Sequence, residues 1–219
     1  MQPPEARVFA DALADGLAAL DLRLDDGQQA MLLAYLALIS KWNKVYNLTA
    51  VRDPAEMLTM HLLDSLAVVN PLRRRLGERS ARVLDVGSGA GLPGVVLAIA
   101  LPHLQVTCVD TVGKKASFIQ QVASELKLRN LSAQHARVES MSTPKVDVVT
   151  SRAFSSLVDF TDLSVQHLLP EGVWMAMKGK RPADEQAVLP PTVDVFHVEQ
   201  LVVPGLDAER CLVWMRPKP

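Results

Sequence analysis

The most chemically informative segment of the chain is a run of closely spaced glycines at residues 85–94. Gly87, Gly89 and Gly91 follow a short apolar run, and a helical pattern begins at about Pro93. Glycines allow a tight turn and close approach of a ligand to the backbone, and the start of a helix offers free N–H groups. The segment therefore predicts a site for a nucleotide-like ligand at one end of a sheet. A purely structural glycine-rich turn is the alternative.

Two features separate this loop from the dinucleotide-binding fingerprint. That fingerprint has a third glycine five residues after the first, where this chain has Leu92. An acidic residue, Asp85, precedes Gly87 by two positions. The resulting D-x-G-x-G-x-G arrangement is similar to motif I of the class I S-adenosylmethionine methyltransferases. The resemblance implies S-adenosylmethionine as the cofactor, with Asp85, Gly87 and Gly89 at its site.

Acidic residues follow the next two predicted strands. Asp110 ends the second strand, 23 residues after Gly87, where a carboxylate can accept hydrogen bonds from ribose hydroxyls. Its alternative role is to cap the helix that follows. Glu139 comes after the third predicted strand, at a position that suits the edge of an adenine ring. Its alternative is a solvated surface position.

The elements that must position these residues fall into two regions, 1–80 and 81–219. In the first region, apolar stripes at helical spacing and a helix start at Asp53-Pro54 predict helices. In the second region, strands alternate with helices, which predicts a mostly parallel sheet. The final two strands are joined by a short link, which predicts an antiparallel hairpin at one edge. The predicted fold class is α/β, a class I Rossmann-like methyltransferase fold with a seven-stranded sheet and an N-terminal helical cap.

The predicted element boundaries are as follows. The helical stripes are Phe9, Leu13, Leu17 and Leu20; Met31, Tyr35, Leu38, Trp42 and Val45; and Leu58, Leu62, Leu66 and Val69. The strands are Arg82–Val86, Gln105–Val109, Leu131–Val138, Val146–Thr150, Gly172–Met177, Val193–Val203 and Arg210–Met215. The later helices are Pro93–Ala100, Gly113–Leu128 and Leu157–Leu169.

Composition excludes several classes of protein. The 219 residues carry 23 basic and 24 acidic side chains, so a chain coated in basic residues is excluded and RNA contact must come from local patches. Such patches are predicted at Lys41, Lys44 and Arg52, at 73–75, and at 178–181. No signal peptide or membrane span is recognisable, and both cysteines lie in apolar runs. We expect a cytoplasmic protein with reduced thiols, and the histidine spacing predicts no metal site.

The order and spacing of short motifs over residues 30–216 resemble the bacterial small-subunit ribosomal RNA guanine-N7 methyltransferases, the RsmG or GidB family. The motifs are Asn47-Leu48-Thr49-Ala50, Asp53-Pro54, His61-Leu62-Leu63-Asp64-Ser65-Leu66, Gly91-Leu92-Pro93-Gly94, Arg137-Val138-Glu139, Ser151-Arg152-Ala153 and Lys178-Gly179-Lys180. The resemblance implies a guanosine in the decoding-region loop of 16S rRNA as the methyl acceptor. It also implies cofactor contacts at Gly87, Leu92, Val138, Glu139 and Arg152, joined by Asp110 from the general class I pattern. Around the acceptor it suggests Arg137, Arg152, Lys178 and Arg210.

Other acceptors fit the sequence less well. Enzymes that methylate amino groups of bases resemble one another in an Asn/Asp-Pro-Pro-aromatic motif after the fourth strand, where this chain has residues 151–154. Methylation at cytosine C5 needs a cysteine nucleophile, and Cys108 and Cys211 fall in mid-strand. Guanine N7 carries an in-plane lone pair and no proton, so general base catalysis has little to do. No catalytic side chain is assigned, and Arg152 and Lys178 are candidates for positioning.

Three readings other than an rRNA methyltransferase stay open. One is a small-molecule methyltransferase with the helical region as a lid, and another is a non-catalytic binding module. The third, a nicotinamide oxidoreductase, is disfavoured by Leu92 and by the lack of a Tyr-x-x-x-Lys pair at Tyr35 or Tyr46. His61, Asp64 and Ser65 share one helix face, which either closes over the ligands or holds the cap on the sheet. We expect a monomer.

Overall fold

The computed structural model describes residues 4–152 and 154–218. Residues 1–3 of the predicted helical region, Ala153 of the predicted site motif, and Pro219 lie outside the described residues. Among the helices of the described chain, none is both long enough and apolar enough to cross a membrane.

The N-terminal region is helical, as predicted. Its elements are α1 (Pro4–Ala19), α2 (Asp26–Tyr46), α3 (Pro54–Met57), a π-helical turn (Leu58–Leu63), α4 (Asp64–Leu66) and α5 (Val69–Leu76). Asp25 and Gln28 form a capping box at the start of α2, each side chain bonding the other's backbone N–H. The predicted start of α3 is confirmed, because the Asp53 carboxylate accepts the Ala55 N–H at 2.8 Å. Val45 ends the predicted apolar stripe of α2 but is 71% exposed, since the last turn of α2 extends beyond the core.

The second region forms one seven-stranded sheet with helices between the strands. The strands are β1 (Ala81–Val86), β2 (Leu104–Asp110), β3 (Leu131–His135), β4 (Val146–Ser151), β5 (Leu168–Lys178), β6 (Val193–Leu201) and β7 (Arg210–Pro217). The helices are α6 (Gly94–Ala100), α7 (Gly113–Glu125), α8 (Leu157–Ser164) and α9 (Ala183–Ala187). The strand order is β3-β2-β1-β4-β5-β7-β6. Strands β1 to β5 pair in parallel, and β7 runs antiparallel to both β5 and β6, so the predicted fold class is confirmed.

Four predicted boundaries are wrong by three residues or more, among them the end of the helix predicted to reach Leu128, which ends at Glu125, and the start of the strand predicted from Gly172, which begins at Leu168. The third strand ends at His135 instead of Val138, because its partner β2 ends at Asp110 and offers no further ladder. Val138 and Glu139 lie instead in a 3₁₀ turn. The helix predicted to reach Leu169 ends at Ser164, and β5 begins at Leu168. The register between β4 and β5 shifts at this point, so the segment with Pro170 and Gly172 is a bulge inside the strand.

The N-terminal helices and one face of the sheet share a single hydrophobic core. Leu13, Tyr35 and Leu62 from the helical region belong to the same buried cluster as Val95 and Phe118 of α6 and α7. A second cluster covers the opposite face, where α8 packs. The division at residue 80 stays a prediction. The shared core fixes the helical region over the carboxyl ends of β4 and β5, where the site is found.

Candidate active site

The glycine loop between β1 and α6 forms a turn that is open on its outer side. Gly87 and Gly89 have φ values of 66° and 60°, a conformation that L side chains rarely adopt. A Cβ at either position would meet nothing within 4 Å, so the space above the backbone is free. Gly94 serves packing instead, because a Cβ there would collide with the Cys108 thiol. The loop thus combines an exposed backbone cradle with a tightly packed base.

Asp85 and Leu92 support this loop from the protein interior. Asp85 is fully buried, and its Oδ2 accepts the Gly94 N–H at 2.9 Å. Its Oδ1 has no hydrogen-bond partner among the described residues, and burial raises the pKa of this carboxyl to about 7. Leu92 is 4% exposed, and its N–H bonds the Ser88 carbonyl at 2.9 Å. Both residues shape the loop from beneath and do not line the open space above it.

Asp110 ties the glycine loop to the end of the second strand. One carboxylate oxygen accepts the Gly89 N–H at 2.8 Å, and the other accepts the Val112 N–H at 2.8 Å. The helix cap of α7 is Val112, so Asp110 is not the capping residue that the alternative required. One carboxylate that is only 6% exposed therefore joins the glycine loop to the segment after β2.

A cavity of about 560 Å³ lies over the glycine loop and is called here the loop cavity. Gly87 and Asp110 line one side of it, and Val138, Glu139 and Arg137 line another. The Arg137 Nε lies 2.7 Å from the Glu139 Oε1, and this hydrogen bond holds the pKa of Glu139 below its usual value. Arg137 was expected near the methyl acceptor, but the structure places it in the loop cavity. There the Arg137 guanidinium is paired with the Glu139 carboxylate, which lines the same cavity.

A second cavity, of about 330 Å³, lies between the π-helical turn and the ends of β4, β5 and β7. It is called here the cap cavity, and its lining includes Arg152, Lys178 and Arg210. The Lys178 ammonium donates to the Glu185 Oε2 at 2.8 Å and to the Phe154 carbonyl at 3.3 Å. The structure thus separates Arg152 from the other predicted cofactor contacts. It groups Arg152 with the cations that were expected around the acceptor.

The three residues of the predicted polar helix face, His61, Asp64 and Ser65, do not all reach the same cavity. His61 and Asp64 line the cap cavity, whereas Ser65 is fully buried. The His61 Nε2 lies 2.9 Å from the Thr49 Oγ1. Burial, with a smaller effect of the Arg152 cation, lowers the pKa of His61 to about 4, so the imidazole is neutral near pH 7. Within residues 4–152 and 154–218, no group of His, Cys, Asp or Glu side chains could hold a metal ion.

Comparison with known proteins decides the family. The family model described as "rRNA small subunit methyltransferase G" matches residues 28–213. The chain belongs to this family. A "Ribosomal RNA small subunit methyltransferase G" of Methylibium petroleiphilum is 61% identical over 99% of this chain and 98% of the relative. Another, from a Polaromonas species, is 66% identical over 94% of this chain and 92% of the relative.

The likeness to solved structures supports the fold. A SAM-dependent methyltransferase from Aquifex aeolicus superposes with a TM-score of 0.53 at 16% identity, covering 74% of this chain and 98% of that one. The family resemblance drawn from the sequence motifs is therefore confirmed, and so is the class I methyltransferase architecture.

The glycine loop is braced by a residue that the sequence pattern does not place at the site. Tyr35 of α2 is fully buried, and its hydroxyl donates to the Ala90 carbonyl at 2.7 Å. Its place in a helical apolar stripe indicated only core packing, so nothing in the pattern distinguished the hydroxyl. Glu185 and Phe154, the two partners of Lys178, were missed for a different reason: they lie outside the strand that ends in Lys178.

We expect Tyr35→Phe to lower the free energy of unfolding by about 1–3 kcal/mol, because the buried Ala90 carbonyl would lose its donor. Denaturant titration would measure the change. Tyr46→Phe is the matched control, since Tyr46 is 42% exposed and its hydroxyl has no partner within the described part of the chain. Equal midpoints for Tyr35→Phe and the wild type would contradict a bracing role.

The arginines of the predicted basic patch at residues 73–75 contact other side chains of the protein. Arg73 pairs with Glu78 at 3.4 Å, Arg74 pairs with Glu199, and Arg75 lies over the Phe196 ring. Residues 73–75 are therefore largely engaged within the protein. The cations of the cap cavity are paired with carboxylates as well, but all three of them line one cavity.

Proposed function

We propose that this chain transfers a methyl group from S-adenosylmethionine to N7 of a guanosine in the decoding-region loop of 16S rRNA. Family membership supports the reaction class and the acceptor. The observation that carries the proposal is the pairing of two different cavities at the carboxyl edge of the sheet. One has an open glycine backbone and acids, and the other is lined by cations. Phe154 of the loop cavity contacts Lys178 of the cap cavity, so the two are neighbours.

The residues of the loop cavity fit S-adenosylmethionine. The free space above Gly87 and Gly89 lets a ligand lie against the backbone. Asp110 keeps lone pairs available for ribose hydroxyls beyond its two backbone bonds. Val138 offers an apolar wall and Glu139 a polar edge for the adenine ring. When bound there, S-adenosylmethionine supplies an activated methyl group on a sulfonium sulfur. Asp85 and Leu92 then act by holding the loop in shape.

The protein's contribution to the reaction is positioning. Guanine N7 has no proton to lose, so no side chain has to act as a base. Holding two reactants in line can contribute about 7–11 kcal/mol. Positive charge passes to the purine ring as the methyl group moves, so a cation against N7 would oppose the reaction. We therefore assign Arg152, Lys178 and Arg210 to anionic groups of the ligands, while neutral His61 adds no opposing charge.

Mapping the methylated nucleotide tests this proposal. Small-subunit particles and their extracted RNA, from a strain lacking the protein, would be incubated with the enzyme and radiolabelled S-adenosylmethionine. Borohydride and aniline cleavage would then locate N7-methylguanosine. We expect one cleavage, in the decoding-region loop. No incorporation into either acceptor, with the donor still bound, would refute an RNA substrate and favour a small-molecule methyltransferase.

The assembled or assembling small subunit is the acceptor that fits the charge distribution best. A net charge of −1 does not predict a broad basic surface of the kind that binds bare RNA tightly. N7 lies deep in the A-form groove, so the target guanosine is expected in a single-stranded loop. Such a substrate places the enzyme in the cytoplasm, and we propose that it acts there as a monomer.

A further inference from the structure

Asp64 is a buried carboxylate that binds two arginines from different strands. Its Oδ2 accepts the Arg152 Nη1 at 3.0 Å, and its Oδ1 accepts the Arg210 Nε at 2.8 Å. Asp64 is 2% exposed, whereas the two arginine side chains are 23% and 22% exposed. Charge-assisted hydrogen bonds of this kind are short and directional. The three residues are called here the Asp64 bridge.

The bridge connects the helical region to the reactive edge of the sheet. Arg152 directly follows β4, Arg210 begins β7, and Asp64 directly follows the π-helical turn. Arg152 also donates to the Met60 carbonyl of that turn at 2.6 Å. Turns of π-helix occur frequently at functional sites. Two acceptors on one helical segment thus fix the position of the Arg152 guanidinium on the cavity wall.

The charges around the cap cavity leave room for one anion. Arg152, Lys178 and Arg210 supply three positive charges, and Asp64 and Glu185 supply two negative charges against them. His61, the remaining titratable group on the wall, is neutral near pH 7. Among the charged side chains of this wall and their ion-pair partners, one positive charge is therefore uncompensated in a partly enclosed space. A phosphodiester, which carries a single negative charge, matches that excess.

We propose that Asp64 is a positioning residue that holds Arg152 and Arg210 for one phosphodiester of the acceptor RNA next to the target nucleotide. The inference rests on the proposed function and adds to it a residue that touches neither reactant. Among the described residues, Nε and Nη2 of Arg152 have no partner, and both arginines line the cavity. Without the carboxylate, the two guanidinium groups repel each other and lose their fixed orientation.

The test compares the wild type with Asp64→Asn, which keeps the shape of the side chain and removes its charge. Asp194→Asn is the matched control, because Asp194 also pairs with an arginine of β7. That arginine is Arg216, at the opposite end of the strand from Arg210. For each variant, KM and kcat would be measured on small-subunit particles at several salt concentrations. The Kd of S-adenosylmethionine and the thermal midpoint would be measured alongside. Arg210→Gln, which removes one cation, would be measured as a second variant.

We expect Asp64→Asn to raise KM for the particle at least tenfold, with kcat changed less than threefold and the donor Kd changed less than twofold. The slope of log KM against log salt should fall by about 1 in Arg210→Gln, as for one lost phosphate contact. Asp194→Asn should match the wild type. A merely structural role would lower the folded fraction, and hence apparent kcat, without moving KM.

Three outcomes would overturn the inference. An unchanged KM in a folded Asp64→Asn protein would show that the bridge does not position an acceptor contact. A donor Kd raised tenfold with KM unchanged would show that the arginines bind the carboxylate of the donor instead. If Asp64→Asn does not fold, an unchanged salt slope in Arg210→Gln would overturn it equally. A wild type that methylates no RNA would instead refute the proposed function, and with it this extension.

Discussion

Replacing Asp110 by alanine is expected to weaken S-adenosylmethionine binding by at least a hundredfold. The carboxylate accepts two backbone N–H groups at 2.8 Å, from Gly89 in the loop and from Val112 before α7. Hydrogen bonds to a charged group contribute about 1.5–3 kcal/mol each, so two of them correspond to about 3–6 kcal/mol. Without these bonds the loop must be ordered again when the donor binds, and about 2.8 kcal/mol of that cost corresponds to a hundredfold loss of affinity.

Equilibrium binding of radiolabelled donor would measure this change. Asp147→Ala is the matched control: Asp147 also accepts a backbone N–H, from Arg82 at 2.8 Å, but at the amino end of the sheet. Asp147→Ala should lower the free energy of unfolding without changing the affinity for S-adenosylmethionine. Donor binding by Asp110→Ala within threefold of the wild type would show that Asp110 does not organise the loop cavity.

We expect the stability of Asp85→Asn relative to the wild type to rise by several kcal/mol between pH 4 and pH 8. Burial raises the pKa of Asp85 to about 7, against an ordinary value of 3.8. Below the ordinary value both the folded and unfolded chains are protonated, and the residue has no effect on stability. Between pH 4 and 7 only the unfolded chain loses the proton, so ionisation favours unfolding and stability falls as pH rises. Above pH 7 the loss is complete and constant.

The asparagine variant removes this dependence because its amide stays neutral. Its oxygen can still accept the Gly94 N–H, so the base of the loop is retained. Denaturant titrations of both proteins from pH 4 to pH 8 would give the difference in unfolding free energy at each pH. We expect that difference to grow across this range and then level off. Parallel curves for the two proteins would show that Asp85 ionises freely in the folded state.

Several features of this protein that depend on local sequence were predicted correctly. A glycine loop behind a strand, an acid at the end of the next strand and the capping signal at Asp53 each depend on neighbours within a few residues. Alternating apolar runs and turns likewise set the order of strands and helices, since side-chain periodicity decides which face is buried. The position of Asp110 beside the loop follows because parallel strands meet at the same edge.

The predicted boundaries of strands were wrong where hydrogen bonds to a neighbouring strand determine the boundary. The third strand ends at His135 because β2 provides no further backbone groups, although the apolar pattern continues to Val138. Leu168 enters β5 because β4 is there to pair with it across a bulge. Hydrogen-bond partners of this kind come from distant parts of the chain, so no local pattern contains them.

The sequence by itself determined which residue types gather at the carboxyl edge of the sheet. Only the tertiary structure decided how they divide between two cavities, with Arg152 beside Asp64 in the cap cavity. The physical reason is that a cation goes to the acid that the packing brings nearest. Asp64 reaches Arg152 and Arg210 because the helical region shares its core with the sheet, across separations of 88 and 146 residues. The spacing of residues along the chain does not predict contacts between residues so far apart.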